Sequence, residues 1–128
     1  VNANQIITEL DKFQAQLFVR RDGAVVPSDP VTLANNLLRI RGLLIALVDH
    51  VADADLDYRK TKAARFDKLI KEGVKRSPAM DQLDMEEDLI DKKITAERLR
   101  NYAKYVDGLC TSIQSVLKVQ STSEKNQY

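Results

Sequence analysis

The chain has 128 residues, 44% of them apolar and 30% charged, with 20 Lys and Arg against 19 Asp and Glu and a formal net charge of +1. That length suits one domain with a modest core, and the composition excludes a disordered chain. A balance of +1 gives no long-range pull on a polyanion, so any nucleic-acid role must rest on how charge is distributed.

The single Cys110 falls in an apolar stripe, which leaves no internal disulfide and points to a reducing, cytoplasmic setting. No apolar run approaches the roughly 18 residues of a membrane span, and no signal pattern opens the chain, so no membrane partner is expected.

In chain order, Ile6, Ile7, Leu10, Phe13, Leu17 and Phe18 predict an amphipathic helix over 4–18, with Asn4 as N-cap. Arg20-Arg21-Asp22-Gly23 reads as its stop and turn. Ala24-Val25-Val26 has extended character but is too short to predict a sheet, and Pro27-Ser28-Asp29-Pro30 closes the connector.

A long helix is expected over 32–72, capped by Asp29 or Thr32. Its stripe Leu33, Leu37, Ile40, Leu44, Leu47, Val51, Ala54 and Tyr58 keeps an unbroken four-three count. Leu43, Ile45 and Val48 lie on further faces, an indication of a second neighbour or another subunit. Gly73 then ends the helix, and Ser77-Pro78 suits an N-cap and first helical position.

The next helix is expected over 78–119, with the stripe Leu99, Tyr102, Val106, Leu109, Ile113 and Val116, followed by a frayed tail over 120–128. The predicted fold is therefore all-α. A short N-terminal helix packs on a long antiparallel two-helix coiled-coil hairpin, and the whole forms a homo-oligomer through its apolar stripes.

Charge is polarised along this arm. Residues 59–76 hold Arg59, Lys60, Lys62, Arg65, Lys68, Lys71, Lys75 and Arg76 against Asp67 and Glu72, a net of +6. Residues 79–97 hold Asp81, Asp84, Glu86, Glu87, Asp88, Asp91 and Glu97 against Lys92 and Lys93, a net of −5. One reading pairs the two runs across the hairpin; the other leaves some basic residues outward, near Tyr58 and Phe66, for a single-stranded nucleic-acid backbone. Residues one or two apart on a helix diverge by about 100° or 200°, so the eight cannot all face the acidic helix.

No catalytic constellation emerges, and an enzyme, a cofactor and a metal are not expected. His50 beside Asp49 and Asp53 is one histidine on a hydrated acidic face. Asp84, Glu87, Asp88 and Asp91 have the spacing of magnesium-binding carboxylates on one helical face, but the facing segment is basic and would neutralise them. Cys110 has no histidine partner, and Tyr102 and Tyr105 read as packing residues with polar tips.

Residues 54–121 resemble small helical phage proteins of the UvsY type, the recombination mediators of T4-like phages. The resemblance is carried by Leu56-Asp57-Tyr58 leading into the basic run and by the turn Glu72-Gly73-Val74-Lys75-Arg76-Ser77 before an acidic helix start. Tyr105-Val106-Asp107-Gly108-Leu109 and Ile113-Gln114-Ser115-Val116-Leu117-Lys118 complete it. It implies an oligomeric accessory protein that binds single-stranded DNA and loads a recombinase onto strands covered by single-strand-binding protein. Lys60, Lys62, Arg65, Lys68 and Arg76 would be its backbone contacts. The alternative is a structural or chaperone-like interaction module in phage assembly.

Overall fold

The computed structural model describes residues 2–126. Four helices and a single β-hairpin are present among the described residues, and the chain is all-α: α1 (Ala3–Gln14), β1 (Phe18–Arg21), β2 (Ala24–Pro27), α2 (Pro30–Lys71), α3 (Arg76–Asp84) and α4 (Glu87–Asn126). The described backbone forms two compact units, one from residues 2–48 and 102–126, the other from residues 49–101.

In the first unit, α1 starts ahead of the position that the sequence suggests. Asn2, not Asn4, is its cap: the Asn2 side chain accepts from the Gln5 amide at 2.9 Å, and Gln5 Oε1 accepts from the Asn2 amide at 2.9 Å, a complete capping box. The helix also ends early, so the expected helix over 4–18 is corrected at both ends. Phe18 opens a strand, paired antiparallel with Pro27 at the far end of the ladder. Asp22 at φ 52° and Gly23 at φ 79° form the two-residue loop, the left-handed conformations that match strand twist in a tight hairpin. Two strands without a core are marginal alone. Ser28 anchors this pair, its amide donating to Leu17 O at 2.9 Å and its hydroxyl to Gln16 O at 2.8 Å.

Asp29 begins α2, accepting from the Thr32 amide at 2.8 Å and the Thr32 hydroxyl at 2.7 Å; these bonds favour the carboxylate and hold the Asp29 pKa below its ordinary value. The core of this unit is Ile6 and Leu10 of α1, Leu17, the α2 residues Leu33, Ile40, Leu44 and Leu47, and Val106, Cys110 and Ile113 of α4. The α2 stripe therefore packs as its spacing predicts. That of α4 is rotated: Ala103 and Cys110 are buried where Tyr102, Leu109 and Val116 are half-buried flanks. The seam in this unit runs 103, 106, 110, 113, still an alternating three-four count, shifted by one residue at 103 and 110.

Tyr102 is held by its tip. Its hydroxyl donates to Asp11 Oδ1 at 2.6 Å and accepts from Gln14 Nε2 at 3.0 Å, while burial and the Asp11 bond raise its pKa. Tyr105 is 62% exposed and does not pack as expected.

In the second unit, α2 ends in a Schellman cap. Gly73 stands at φ 93°, its amide donates to Ile70 O at 3.0 Å, and the Val74 amide donates to Leu69 O at 3.0 Å. The expected helix over 78–119 is corrected to two. α3 starts at Arg76 with Lys75 as N-cap, which puts Ser77 and Pro78 inside its first turn, and it stops at Asp84. Leu83 and Leu89 are both buried, yet six residues apart on one helix they would point about 120° away from each other. The break at Met85 and Glu86 turns both inward, after which Leu89 and Ala96 continue the packed face seven residues apart. α4 persists to Asn126, so helix replaces the frayed tail expected from residue 120; residues 127 and 128 lie outside those described.

Candidate nucleic-acid interface

The basic run lies wholly in the second unit, on α2 and the start of α3. Three of its members are engaged by carboxylates. Arg59 Nε is 3.0 Å from Asp55 one turn back on α2, Lys62 Nζ is 3.7 Å from Asp84 of α3, and Arg65 bridges Glu86 at 2.6 Å and Asp88 at 2.5 Å. These bonds raise the Arg65 pKa, with Asp88 the largest cause. Two further pairs run the opposite way, from acids of α2 to cations of α4: Asp57 to Lys92 at 2.6 Å and Asp55 to Arg100 at 3.1 Å. The bond to Asp57 raises the Lys92 pKa. Together they align α2 and α4 antiparallel within this unit.

The others behave differently. Lys60, Lys68, Lys71, Lys75 and Arg76 are exposed, and no ion pair engages them among the described residues. Lys60 and Lys71 are eleven residues apart, which returns them to within about 20° on the helix and separates them by about 16 Å along it. Lys68 lies about 60° from Lys71, and Lys75 and Arg76 extend the positive surface around the turn. A chain of phosphates needs such a series of cations, free of intramolecular partners, on one side of an element.

Lys62 Nζ sits 5.8 Å from the Tyr58 ring centroid, over one face, and Tyr58 and Phe66 are both half-buried. Beside Tyr58 and Lys62 opens a cavity of about 310 Å³, with Leu83, Leu89 and Ile94 as apolar walls and Lys93 at its rim.

The acidic row does not form a ligand set. Asp84 belongs to α3, while Glu87, Asp88 and Asp91 belong to α4, so the helix break removes the shared face that their spacing suggests. Asp84 and Asp88 are moreover occupied by Lys62 and Arg65.

Sequence reasoning misses one feature of the first unit. Arg20 and Arg21, which read as a helix stop and turn, are exposed on β1 and unpaired by any carboxylate among the described residues. The signal was Asp22-Gly23 between two apolar runs, a strong hairpin marker. The further apolar face of α2 expected from Ile45 and Val48 extends to a stripe, on which Val31, Leu38 and Ile45 are about 70% exposed. This part of α2 contains an 18-residue window of mean hydropathy 1.5, long and apolar enough to cross a membrane by that measure. Arg39 and Arg41 lie within it, and each costs about 2.5 to 3.5 kcal/mol at a bilayer centre. Arg39 is instead stacked 5.4 Å from the Phe13 ring centroid in the first unit. No protein-family model matches the chain, and no curated protein or solved structure is significantly similar to it.

Proposed function

We propose that the chain is a non-enzymatic accessory protein of phage-type DNA recombination, which binds single-stranded DNA through the outward basic side of its second unit. It acts in the cytoplasm as a homo-oligomer, with a recombinase or single-strand-binding protein as further partner. The observation that carries this reading is the division of the basic run. Acids of α2, α3 and the α4 start take Arg59, Lys62 and Arg65, and Lys60, Lys68, Lys71, Lys75 and Arg76 remain free of ion pairs among the described residues. Helix geometry keeps these five from facing the acids, and their exposure leaves a positive surface on this unit. Sequence-independent phosphate binding needs no catalytic group, cofactor or metal.

The test is fluorescence anisotropy of a labelled single-stranded oligonucleotide with the intact protein at low salt. Saturable binding supports the proposal, and no detectable binding counts against it. The alternative, a chaperone-like interaction module in phage assembly, is favoured by the exposed Val31, Leu38 and Ile45. It predicts binding to an assembly protein with no oligonucleotide affinity.

A further inference from the structure

The α2 face opposite the core of the first unit is apolar and open. Val31, Leu38 and Ile45 are 70%, 74% and 71% exposed, and they recur at steps of seven, which keeps them within about 40° of one line along the helix. Val48, 51% exposed, lies at its edge. Gly42 is on the same side, and a Cβ added there meets nothing within 4 Å, so another backbone can approach closely. A shallow groove lined by Val31, Ala34, Asn35 and Leu117 opens alongside.

We propose that this face is the contact between two copies of the chain, crossing antiparallel about a two-fold axis beside Gly42. The four large side chains present roughly 500 Å² of apolar surface, near the upper end for a single patch on a monomer. Covering it on both copies removes about 1,000 Å², the lower bound of a specific interface. On α2 itself the charged residues between Val31 and Val48 are Arg39 and Arg41, so the face suits a partner that is equally apolar. Arg39 is already stacked on Phe13.

Direction follows from the charges beside this face. A parallel alignment sets Arg39 against Arg39 and Arg41 against Arg41, and like charges across a contact are costly. The antiparallel alignment sets Leu38 against Ile45 twice and Asn35 against Val48. It also places Arg41 beside the space left by Gly42. Such an isologous contact closes on itself as a dimer.

This inference rests on the reading of the chain as a self-assembling protein, and not on its binding DNA. The experiment is sedimentation equilibrium of the full chain and of the Leu38→Lys/Ile45→Lys double variant, with circular dichroism of both. The wild type is expected to be dimeric at micromolar concentration, and the variant to keep its helicity while its dissociation constant rises about 100-fold or more. In single variants treated with a short bismaleimide, Gly42→Cys joins two chains, whereas Val31→Cys does not. The buried Cys110 of the unaltered chain gives the background.

A wild type still monomeric at about 100 µM overturns the proposal. So does an oligomer whose mass survives both lysines, or cross-linking through Val31→Cys. Binding of the monomer to anionic phosphatidylglycerol vesicles that the double variant loses assigns the face to lipid and overturns it as well. A dimer that fails to bind oligonucleotide counts against the DNA reading alone.

Discussion

Arg65 holds Glu86 and, with its other terminal nitrogen, Asp88, at 2.6 and 2.5 Å. Glu86 precedes α4 and Asp88 stands in its first turn, so one guanidinium on α2 ties down the helix start created by the break after α3. A planar fork can serve two acceptors, which an ammonium serves less well. Arg65→Lys is therefore expected to lower the melting temperature, and Arg65→Ala to lower it further. Both effects should shrink in about 1 M salt, where partly exposed charges are screened. Calorimetry at two salt concentrations checks this; equal melting temperatures for all three proteins would remove the role assigned to Arg65.

The rotated α4 seam predicts a reversal of what the stripe in the sequence implies. Ala103 is 9% exposed and faces the core, so Ala103→Leu overpacks it and should cost about 1–3 kcal/mol in urea unfolding. Thr111→Leu, on an exposed position of the same helix, should change stability by less than about 0.5 kcal/mol. Similar costs at the two positions would contradict the seam.

Tyr102 makes stability depend on pH at the alkaline end. Burial and the hydrogen bond to Asp11 raise its folded pKa above the unfolded value of about 10. The neutral phenol is thus favoured by folding. Its contribution is complete below pH of about 10 and declines as pH rises from there towards the folded pKa. Tyr102→Phe should cost about 1–2 kcal/mol at neutral pH and flatten that alkaline decline. Urea unfolding of the two proteins between pH 7 and about 11 reads both effects.

Gly73 reports on the α2 end. At φ 93° a side chain is strained even though nothing within 4 Å would meet its Cβ. Gly73→Ala is expected to destabilise the second unit by about 1 kcal/mol, while Gly108→Ala, in open helical backbone of α4, should stabilise by a similar amount. Thermal unfolding of the two variants in opposite directions is the check.

The helices were legible because apolar spacing reports one-sided burial: Leu33, Ile40, Leu44 and Leu47 mark the buried side of α2 in the first unit. What spacing could not convey was which of two adjacent stripes on α4 is innermost. Tyr102 and Leu109 are larger than Ala103 and Cys110, yet the small residues are the buried ones, and Tyr102 stays at the flank where its hydroxyl reaches Asp11. The α3–α4 break was hidden for a similar reason. No Gly or Pro marks Met85 and Glu86, and the break follows from the need to bury both Leu83 and Leu89. At the candidate site, the basic run was visible as composition. Which of its members are free was not, because pairing depends on where the break places Asp84, Glu86 and Asp88.

That division of the basic run is the central claim, and the salt dependence of single-stranded DNA binding tests it most directly. If Lys60, Lys68 and Lys71 each neutralise a phosphate, replacing all three by Gln should reduce the slope of log K against log salt by about 2, near 0.7 per phosphate. Arg59→Gln, which removes a cation already paired with Asp55, should leave the slope nearly unchanged. An unchanged slope in the triple variant, or an equal reduction from Arg59→Gln alone, would contradict the account.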